Sequence, residues 1–449
     1  MKRIWKSNLS RGFAAMLAVF MLFGVAGCNS KPAESGVTGD TLVKAPTDTL
    51  QSDQSASNTG GEAGAERKPE AGAKLKLWDS DFEPKAWAEE RIKEFTAKYG
   101  IEVTYETVSN FEAANKIKTD GPAKVGADVF IIPSDTISSL VEGGFLYPND
   151  VSEPSGFFDS SITACSYNGQ LYGFPVTIET SALLYNKKLV QKPPETFDEL
   201  IKASEAFLDK KNDKYGFMLE LATSAFYNTY PFIGGFGGYV FGKDGADPGD
   251  IGLNSAGAIE GLNYFKSLKK ILPLKGEEMT FDVKSNLFSN GNLLFDFNGP
   301  WAIKGYQENG VEVGVAPMPT LPNGKKPVTF CAVNCYVVSS YSDYPEAAKL
   351  LAEFLTSGES LLKRFKATNS IPPRKDVAEE PEIKNDPVSS GFLQQVQYSQ
   401  TIPGVKQIAA VWVPMNKYLI QIWNDPEGDV KQLLDKAVNE IKQDPNYTK

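Results

Sequence analysis

Residues 128–133 read Asp128-Val129-Phe130-Ile131-Ile132-Pro133, a continuous apolar run that is typical of a β-strand buried on both faces. Strands of this kind occur in sheets that are covered by helices on both sides. A short helix is predicted over residues 137–143, directly after the polar residues 134–136. The run therefore indicates an α/β fold, in which ligands bind at loops beyond the carboxyl ends of the strands.

Strands and helices alternate on both sides of this run. Pro84 opens an amphipathic helix that carries Trp87, Ile92 and Phe95 and ends at Gly100. The pattern predicts a mostly parallel sheet, followed from about Ile178 by a second α/β unit. The other predicted strands are 74–78, 101–107 and 292–297, and the other predicted helices are 196–208 and 255–272.

Composition and charge exclude several classes of function. The chain of 449 residues has 46 basic and 56 acidic side chains, a net charge of −10, and no histidine. The absence of histidine excludes a Ser-His-Asp triad, a zinc site that uses histidine and a histidine general base. The negative charge disfavours nucleic acid as a partner. Residues 74–449 are long enough for two domains.

The N-terminus carries an export signal. The apolar run 13–25 follows four basic residues and is too short to span a bilayer comfortably, so residues 1–27 are predicted to be a signal peptide. The stretch Val25-Ala26-Gly27-Cys28, at the end of the apolar run, resembles a bacterial lipobox. That resemblance implies cleavage before Cys28 and acyl chains on its sulfur and amine, which would anchor the protein to a membrane. The alternative is a secretory signal followed by a coincidental cysteine.

The stretch 28–73 is predicted to be a flexible tether. It is rich in Ser, Thr, Gly, Ala, Pro, Asp and Glu and has almost no large apolar side chains, so it cannot build a core. It would hold the globular part close to the membrane on its extracytoplasmic face.

Three further cysteines do not form a disulfide framework. Cys331 and Cys335 lie in one β-like run, where a step of four residues spans about 13 Å, too far for a bridge between them. Buried side chains are favoured over a metal site made of thiols. Cys165 could pair with either Cys331 or Cys335, and the sequence does not decide between them.

Two acidic patterns resemble calcium loops only superficially, and neither a metal nor a cofactor is expected. Asp79, Asp81, Glu83 and Glu90 have the spacing of an EF-hand, but Pro84 stands where glycine is needed. The acidic stretch 244–250 is Gly/Pro-rich and is predicted to be a solvated turn.

The chain from Leu75 to the C-terminus resembles extracellular solute-binding proteins of the maltose/maltodextrin-binding type, the receptors of ABC sugar importers. The resemblance covers essentially all of the globular part and is specific for the family rather than for the sugar. The matching segments, in order, are 75–78, 167–175, 184–187, 237–239, Asn298-Gly299-Pro300-Trp301-Ala302 and 347–355.

The resemblance implies two α/β lobes, each discontinuous in sequence, joined by a hinge of several strands, with the ligand enclosed between them by hinge closure. The first lobe would comprise 74–177 plus 331–380. The second lobe would comprise 178–330 plus 381–449. The chain would cross between lobes near residues 175–180, 329–333 and 371–376.

The resemblance also implies the residues of a sugar site. Trp301, Trp412 and Tyr227 stand where the family places stacking aromatic rings, and Asp135 and Glu179 stand where it places carboxylates for sugar hydroxyls. The sequence departs from the maltose-binding pattern in having Phe82 in the first loop, which is predicted to contact ligand and suggests a longer or cyclic maltooligosaccharide. Other departures are at Ile132, Thr136, Val413 and Asn416.

The function expected from this resemblance is a non-enzymatic, lipid-anchored binding protein that captures maltodextrin or cyclodextrin and delivers it to membrane permeases as a monomer. One alternative is a binding protein for another oligosaccharide, or a sugar-sensing lipoprotein that does not serve import. A more remote alternative is a glycosidase that uses two carboxylates, since that chemistry does not need histidine.

Overall fold

The computed structural model describes residues 67–80, 85–150 and 154–448. The described residues all belong to one compact unit, residues 62–449. Within the described ranges, no helix is both long enough and apolar enough to cross a membrane.

The described part of the chain is a mixed α/β structure. Its strands are β1 (Lys74–Asp79), β2 (Glu102–Thr107), β3 (Val129–Pro133), β4 (Ser166–Tyr167), β5 (Gln170–Leu171), β6 (Phe174–Thr180), β7 (Ala182–Asn186), β8 (Tyr215–Met218), β9 (Phe241–Gly242), β10 (Asp247–Ile251), β11 (Leu293–Asn298), β12 (Val313–Ala316), β13 (Thr329–Val338) and β14 (Ser399–Thr401). Its helices are α1 (Lys85–Tyr99), α2 (Asn110–Asp120), α3 (Ile137–Glu142), α4 (Asp159–Ala164), α5 (Phe197–Phe207), α6 (Ala225–Gly235), α7 (Ala256–Ser267), α8 (Phe281–Ser289), α9 (Ile303–Glu308), α10 (Pro345–Leu355), α11 (Gly358–Thr368), α12 (Lys375–Ala378), α13 (Pro381–Lys384), α14 (Pro387–Val396), α15 (Trp412–Asn424), α16 (Val430–Gln443) and α17 (Pro445–Thr448).

The first sheet is built around the apolar run of β3. Its strand order is β14-β13-β3-β1-β2, and β6 also pairs with β13. Because side chains alternate across a strand, Val129 and Ile131 pack with residues of α1, α10 and α11, whereas Phe130 and Ile132 pack with residues of α2 and α3 on the other face. The prediction of a strand buried on both faces is confirmed.

The second sheet has the order β12-β7-β11-β8. Its apolar residues join those of α5, α6, α7, α15 and α16 in the larger hydrophobic core. Helices α5 and α7 and strand β11 lie where the sequence predicts them. We call the first sheet without β14, together with the helices packed on it, the first lobe, and the second sheet with its helices the second lobe.

The first sheet, predicted to be mostly parallel, is mixed, with three parallel and two antiparallel strand pairings. Strands β1, β2 and β3 are parallel, but β13 runs antiparallel to β3 and β6. In the second sheet β7 is antiparallel to both β11 and β12. The reason is the path of the chain, because β6 leads directly into β7 through Ser181 and β13 returns to the first sheet beside β6.

A cluster of hydroxyl groups ties these connecting strands together. The Thr180 hydroxyl lies 2.8 Å from that of Thr329 and donates to the carbonyl of Phe330 at 2.9 Å. The Ser399 hydroxyl, on β14, lies 2.7 Å from that of Thr329. The chain therefore crosses from one sheet to the other through a buried polar junction.

Residues 67–73, which the sequence assigns to the tether, lie against the first lobe. Arg67 forms ion pairs with Asp150, Glu346 and Glu353 at 2.7–3.0 Å. The Glu70 carboxylate accepts hydrogen bonds from two backbone N–H groups in the first turn of α10, which satisfies part of that helix N-terminus. The polar composition predicts a flexible tether here, but the segment is held to the lobe by ion pairs and hydrogen bonds, and Ala73 is buried in the apolar core.

Candidate functional site

Asp135 lies in a 3₁₀ turn of residues 134–136 that directly follows the carboxyl end of β3. The side chain is partly buried, and burial raises the pKa of Asp135 to about 6. Hydrogen bonds from its own backbone and from the Trp412 side chain act in the opposite direction. The carboxylate is therefore held at the edge of the first sheet beside an aromatic ring.

Trp412 begins α15 and is partly buried. Its ring meets that of Phe226 edge to face, with the centroids 5.4 Å apart, and lies 6.1 Å from that of Phe330. Phe226 belongs to α6, so the tryptophan packs on the second lobe while its N–H group serves Asp135 of the first lobe. The structure thus brings together Asp135 and Trp412 from different lobes.

Glu179 lies on β6, where the chain leaves the first sheet, and its side chain is partly buried. Its carboxylate accepts hydrogen bonds from Thr177 at 3.0 Å and from the Asn334 side chain at 2.9 Å. Asn334 accepts in turn from the Asn110 side chain at 3.2 Å. The buried Oδ1 of Asn110 has no hydrogen-bond partner among the described residues, which leaves one acceptor open beside this chain of polar groups.

Tyr227 lies on α6, close to Glu179. Its ring is 6.0 Å from that of Phe330, and Ser181 lies beside its hydroxyl. Burial raises the pKa of Tyr227, and the negative charge of Glu179 raises it further. Burial likewise raises the pKa of Cys331 to about 12, again with a contribution from Glu179. Glu179, Tyr227 and Cys331 therefore share one electrostatic environment.

Trp301 is partly buried and lies on a different element of the second lobe. It belongs to a 3₁₀ turn, residues 300–302, that follows the carboxyl end of β11. Its six-membered ring covers Gly299 so closely that a methyl group added there would lie 2.1 Å from ring carbons. A side chain larger than hydrogen at residue 299 would displace the ring. Phe82 and Cys28 lie outside the described residues, so their predicted roles stay predictions.

Three of the acidic residues in the calcium-like patterns, Asp79, Asp247 and Asp250, have other partners. Asp79 is fully buried, accepts from the Tyr336 hydroxyl at 2.7 Å and pairs with Arg364 at 3.5 Å. Asp247 pairs with Lys243 at 3.0 Å, and Asp250 accepts from the Tyr239 hydroxyl at 2.9 Å. Among the described residues, no three Cys, Asp or Glu side chains are grouped in a way that could hold a metal ion.

Sequence reasoning missed two residues that organise the site. Phe330 lies between the rings of Trp412 and Tyr227 and stacks on Tyr230 with 3.8 Å between ring centroids. Asn334 supports Glu179. A single amide in the apolar run of β13 is the signal that could have pointed to Asn334, since a buried polar side chain needs a partner. Nothing local distinguishes Phe330 from an ordinary core residue.

Asn416 has a structural role that its position in the sequence does not reveal. Its Oδ1 accepts from the backbone N–H of Phe226 at 2.8 Å, and its amide donates to the Thr223 carbonyl at 3.2 Å. It therefore joins α15 to the N-terminus of α6 and helps to set the position of Trp412 against Phe226.

The candidate site combines aromatic rings, from Tyr227, Trp301 and Trp412, with carboxylate and amide groups from Asp135, Glu179 and Asn334. Aromatic faces bind apolar C–H surfaces, while carboxylates and amides accept or donate hydrogen bonds to hydroxyl groups. This chemistry suits a ligand that is rich in hydroxyl groups and has flat apolar faces.

Comparison with protein families agrees with this geometry. Residues 90–388 match the model of the family described as bacterial extracellular solute-binding protein. The chain belongs to this family. The match covers parts of both lobes and includes Asp135, Glu179, Tyr227 and Trp301, whereas Trp412 lies beyond it.

Several proteins that are similar in sequence to this chain have names that refer to oligosaccharides. A maltooligosaccharide ABC transporter solute-binding lipoprotein of Streptococcus pneumoniae is 31% identical over 80% of this chain and 86% of its own length. A galactooligosaccharide-binding protein of Bacillus subtilis is 30% identical over 85% of this chain and 91% of its own length. A crystal structure of a cyclo/maltodextrin-binding protein in complex with maltotetraose shares 37% identity, covers 82% of this chain and 96% of that chain, and superposes with a TM-score of 0.72. The two-lobe solute-binding fold is therefore established for this chain.

Proposed function

We propose that this protein is the extracytoplasmic receptor of an ABC sugar importer and that it binds a maltooligosaccharide between its two lobes. The observation that carries the proposal is the meeting of Asp135 with Trp412, because it places a carboxylate at the N–H edge of an aromatic ring from the opposite lobe. The names of the relatives support an oligosaccharide as ligand.

In this proposal each site residue has a chemical role. Trp301, Trp412 and Tyr227 stack on pyranose faces, and Asp135 and Glu179 accept hydrogen bonds from sugar hydroxyls. Phe82 contacts a further sugar unit, which favours a ligand longer than maltose or a cyclic one.

The proposed lobes are 74–177 plus 331–380 and 178–330 plus 381–449. Ligand binding closes them around the sugar, and the closed monomer delivers the sugar to membrane permeases. The contact of Asp135 with Trp412 supports this division, because a cleft between lobes needs groups from both sides.

A thermal-shift panel tests the choice of ligand. Maltose, linear maltodextrins, cyclodextrins and galactooligosaccharides are added to the full chain at increasing concentration, with cellooligosaccharides as a control for the type of glycosidic linkage. A ligand that binds only the folded state raises the unfolding midpoint in proportion to the logarithm of its concentration. Shifts with maltodextrins or cyclodextrins support the proposal. A shift with galactooligosaccharides alone would replace the proposed ligand, and no shift with any glucan would refute it.

We further propose that the sugar is bound without being cleaved. Maltohexaose incubated with the protein should be recovered unchanged by chromatography under conditions where the thermal shift proves binding. The appearance of shorter glucans that is abolished by Asp135→Asn would instead support the glycosidase alternative.

Membrane attachment through Cys28 is a separate part of the proposal. Cys28→Ala should abolish acylation and either release the protein from the membrane fraction or leave it unprocessed. Asn29→Ser, a change at the neighbouring residue that retains the cysteine, is the matched control and should remain in the membrane fraction. Normal processing with unchanged membrane retention in Cys28→Ala would contradict the lipid anchor.

A further inference from the structure

Two cysteines that are far apart in the chain meet inside the first lobe. Cys165 follows the last residue of α4, and Cys335 lies on β13. Both side chains are completely buried, and no disulfide joins them. Nothing in the sugar site uses either residue.

The geometry around Gly173 shows how close the two side chains are. A methyl group added at Gly173 would lie 2.8 Å from Cβ of Cys335 and 3.2 Å from Cβ of Cys165. The two Cβ atoms are therefore at most about 6 Å apart, compared with roughly 3.5–4.5 Å in a disulfide. The thiols are also close enough to share a side-chain hydrogen bond.

The surrounding backbone holds this pair in place. The Cys165 carbonyl accepts hydrogen bonds from the N–H groups of Tyr172 at 3.0 Å and Gly173 at 3.1 Å, which fastens Cys165 to the end of the β4–β5 hairpin. The Cys335 thiol lies 3.7 Å from the Ile132 carbonyl on β3. Both cysteines are thus anchored by backbone contacts on either side of Gly173.

We propose that Cys165 and Cys335 form a disulfide in the exported protein and that Cys331 stays a thiol. The sequence left both partners of Cys165 open, and the structure favours Cys335. Cys331 is separated from Cys335 by four strand positions, about 13 Å, and shares the environment of Glu179 and Tyr227. The inference goes beyond sugar binding and requires the oxidising compartment that the proposed location provides.

The bond forms by two thiol–disulfide exchanges with a small-molecule disulfide. The Cys165 thiolate attacks one sulfur of that oxidant and displaces the other as a thiolate, which leaves a mixed disulfide on Cys165. The Cys335 thiolate then attacks the Cys165 sulfur and displaces the second small thiolate. The two protons lost by the cysteines protonate the two released thiolates, and the oxidant takes up two electrons.

Burial determines when this exchange takes place. Burial raises the pKa of Cys165 well above its usual value, so the folded, reduced protein contains very little of the reactive thiolate. Oxidation is therefore expected during folding after export, before the β4–β5 hairpin covers the pair. The reduced protein, once folded, should resist the same oxidant.

The disulfide would close a loop of about 170 residues. A loop of this length strongly reduces the conformational entropy of the unfolded chain, which stabilises the folded protein. It would connect the hairpin after α4 to the strand that also pairs with β6. We expect the oxidised protein to unfold at a temperature higher by roughly 5–10 °C than the reduced protein.

The test uses the full chain, exported with its own signal. The protein is denatured, treated with iodoacetamide with and without prior reduction, digested and analysed by mass spectrometry. We expect a cross-linked pair of peptides that contain Cys165 and Cys335, and full alkylation of Cys331 without reduction. The Cys331→Ser variant should keep the cross-link, and the Cys335→Ala variant should leave Cys165 open to alkylation.

A refolding experiment tests the proposed disulfide independently. The denatured, reduced protein is refolded with a mixture of oxidised and reduced glutathione, while a second sample receives the mixture only after folding. The cross-link should form in the first sample and not in the second. Full alkylation of Cys165 and Cys335 without reduction, both after export and after refolding with glutathione, would overturn the proposal. A cross-link that contains Cys331 would overturn it as well.

Discussion

Trp412 shows how one residue in this protein serves both packing and the proposed site. Its ring is partly covered by Phe226 and Phe330, and its N–H group faces Asp135. A purely structural tryptophan looks different, since Trp78 is fully buried, donates to Glu106 at 2.7 Å and meets Phe130 edge to face. The partial exposure of Trp412 leaves part of its surface available to a ligand.

The first prediction separates these two roles. Trp412→Ala and Trp301→Ala should each weaken sugar binding by roughly 2–4 kcal/mol, about 30- to 800-fold, because each removes an aromatic anchor. Trp412→Phe should lose less, since it keeps a ring and removes only the N–H group. Calorimetric affinity and the denaturant midpoint are measured on the same variants.

Trp78→Ala is the control for these variants, and it should lose about 3–5 kcal/mol of stability with little change in affinity. If Trp412→Ala keeps native affinity for every glucan tested while losing several kcal/mol of stability, Trp412 is a core residue and its proposed role is wrong.

The second prediction concerns the ionisation of Asp135. Burial raises its pKa to about 6, so the folded chain binds this proton more tightly than the unfolded chain does. The resulting contribution to stability is fully present below the ordinary pKa near 4 and is lost as the pH rises through 6. Asp135→Asn cannot ionise, so its stability relative to the native protein should increase across this window by about 2–3 kcal/mol.

Urea unfolding between pH 4 and pH 7.5, without ligand, measures this difference. Glu260→Gln, at an exposed position on α7, should show no comparable change relative to the native protein. A constant difference between Asp135→Asn and the native protein over the whole range would contradict the raised pKa.

At the scale of elements, β13 is the strand that the sequence describes least well. Strand β3 and helix α1 are marked by patterns of residues that are close together in the sequence, and the sequence predicts both elements. The direction of β13 and the contact of Phe330 with Trp412 depend on residues far away in the chain. Local patterns carry no information on such contacts, which is why the antiparallel pairings of β13 were not predicted. The site residues came from the family resemblance, and periodicity alone would not have grouped them.

The third prediction tests the hydroxyl junction where β6, β13 and β14 meet. Thr180→Val keeps the shape of the side chain but leaves the Phe330 carbonyl and the Thr329 hydroxyl without this partner. Stability should fall by about 1–3 kcal/mol, and amide hydrogen exchange should become faster near residues 329–331. Urea unfolding and hydrogen exchange with mass spectrometry provide the two measurements.

Thr356→Val is the matched control, because its buried hydroxyl donates to the Ala352 carbonyl at 2.8 Å at the end of α10, away from the junction. It should leave exchange at residues 329–331 unchanged. Equal exchange at these residues in the Thr180→Val variant and the native protein would show that the hydroxyl cluster does not hold the strands together.

At the scale of the whole molecule, polar contacts hold the two lobes in the arrangement that the structure shows. Lys406, which precedes α15, forms an ion pair of 2.7 Å with Glu142 at the end of α3. The Tyr167 hydroxyl donates to the same carboxylate at 2.5 Å. On another side, Lys304 of α9 donates to the Ala367 carbonyl of α11 at 2.6 Å. These contacts join surface groups, so each can break without exposing a core.

The last prediction is that the pair of Glu142 and Lys406 favours the closed arrangement. Lys406, followed by Tyr167, lowers the pKa of Glu142, which shows that both stabilise the ionised carboxylate. Glu142→Gln removes the charge and keeps the size, so closure should become less favourable by about 0.2–1 kcal/mol, the usual range for an exposed ion pair. Affinity for sugar should then fall by up to about five-fold, and the radius of gyration without sugar should increase.

Glu440→Gln is the matched control, because Glu440 is bound by Lys417 at 2.7 Å and Tyr418 at 2.6 Å entirely within the second lobe. Small-angle scattering measures the radius of gyration of both variants, and calorimetry measures their affinity for sugar. Both are done at low and high salt, because screening should reduce the effect of Glu142→Gln. Identical affinity and scattering for the two variants at low salt would mean that the ion pair does not affect closure. If saturating sugar leaves the radius of gyration of the native protein unchanged, hinge closure itself is contradicted.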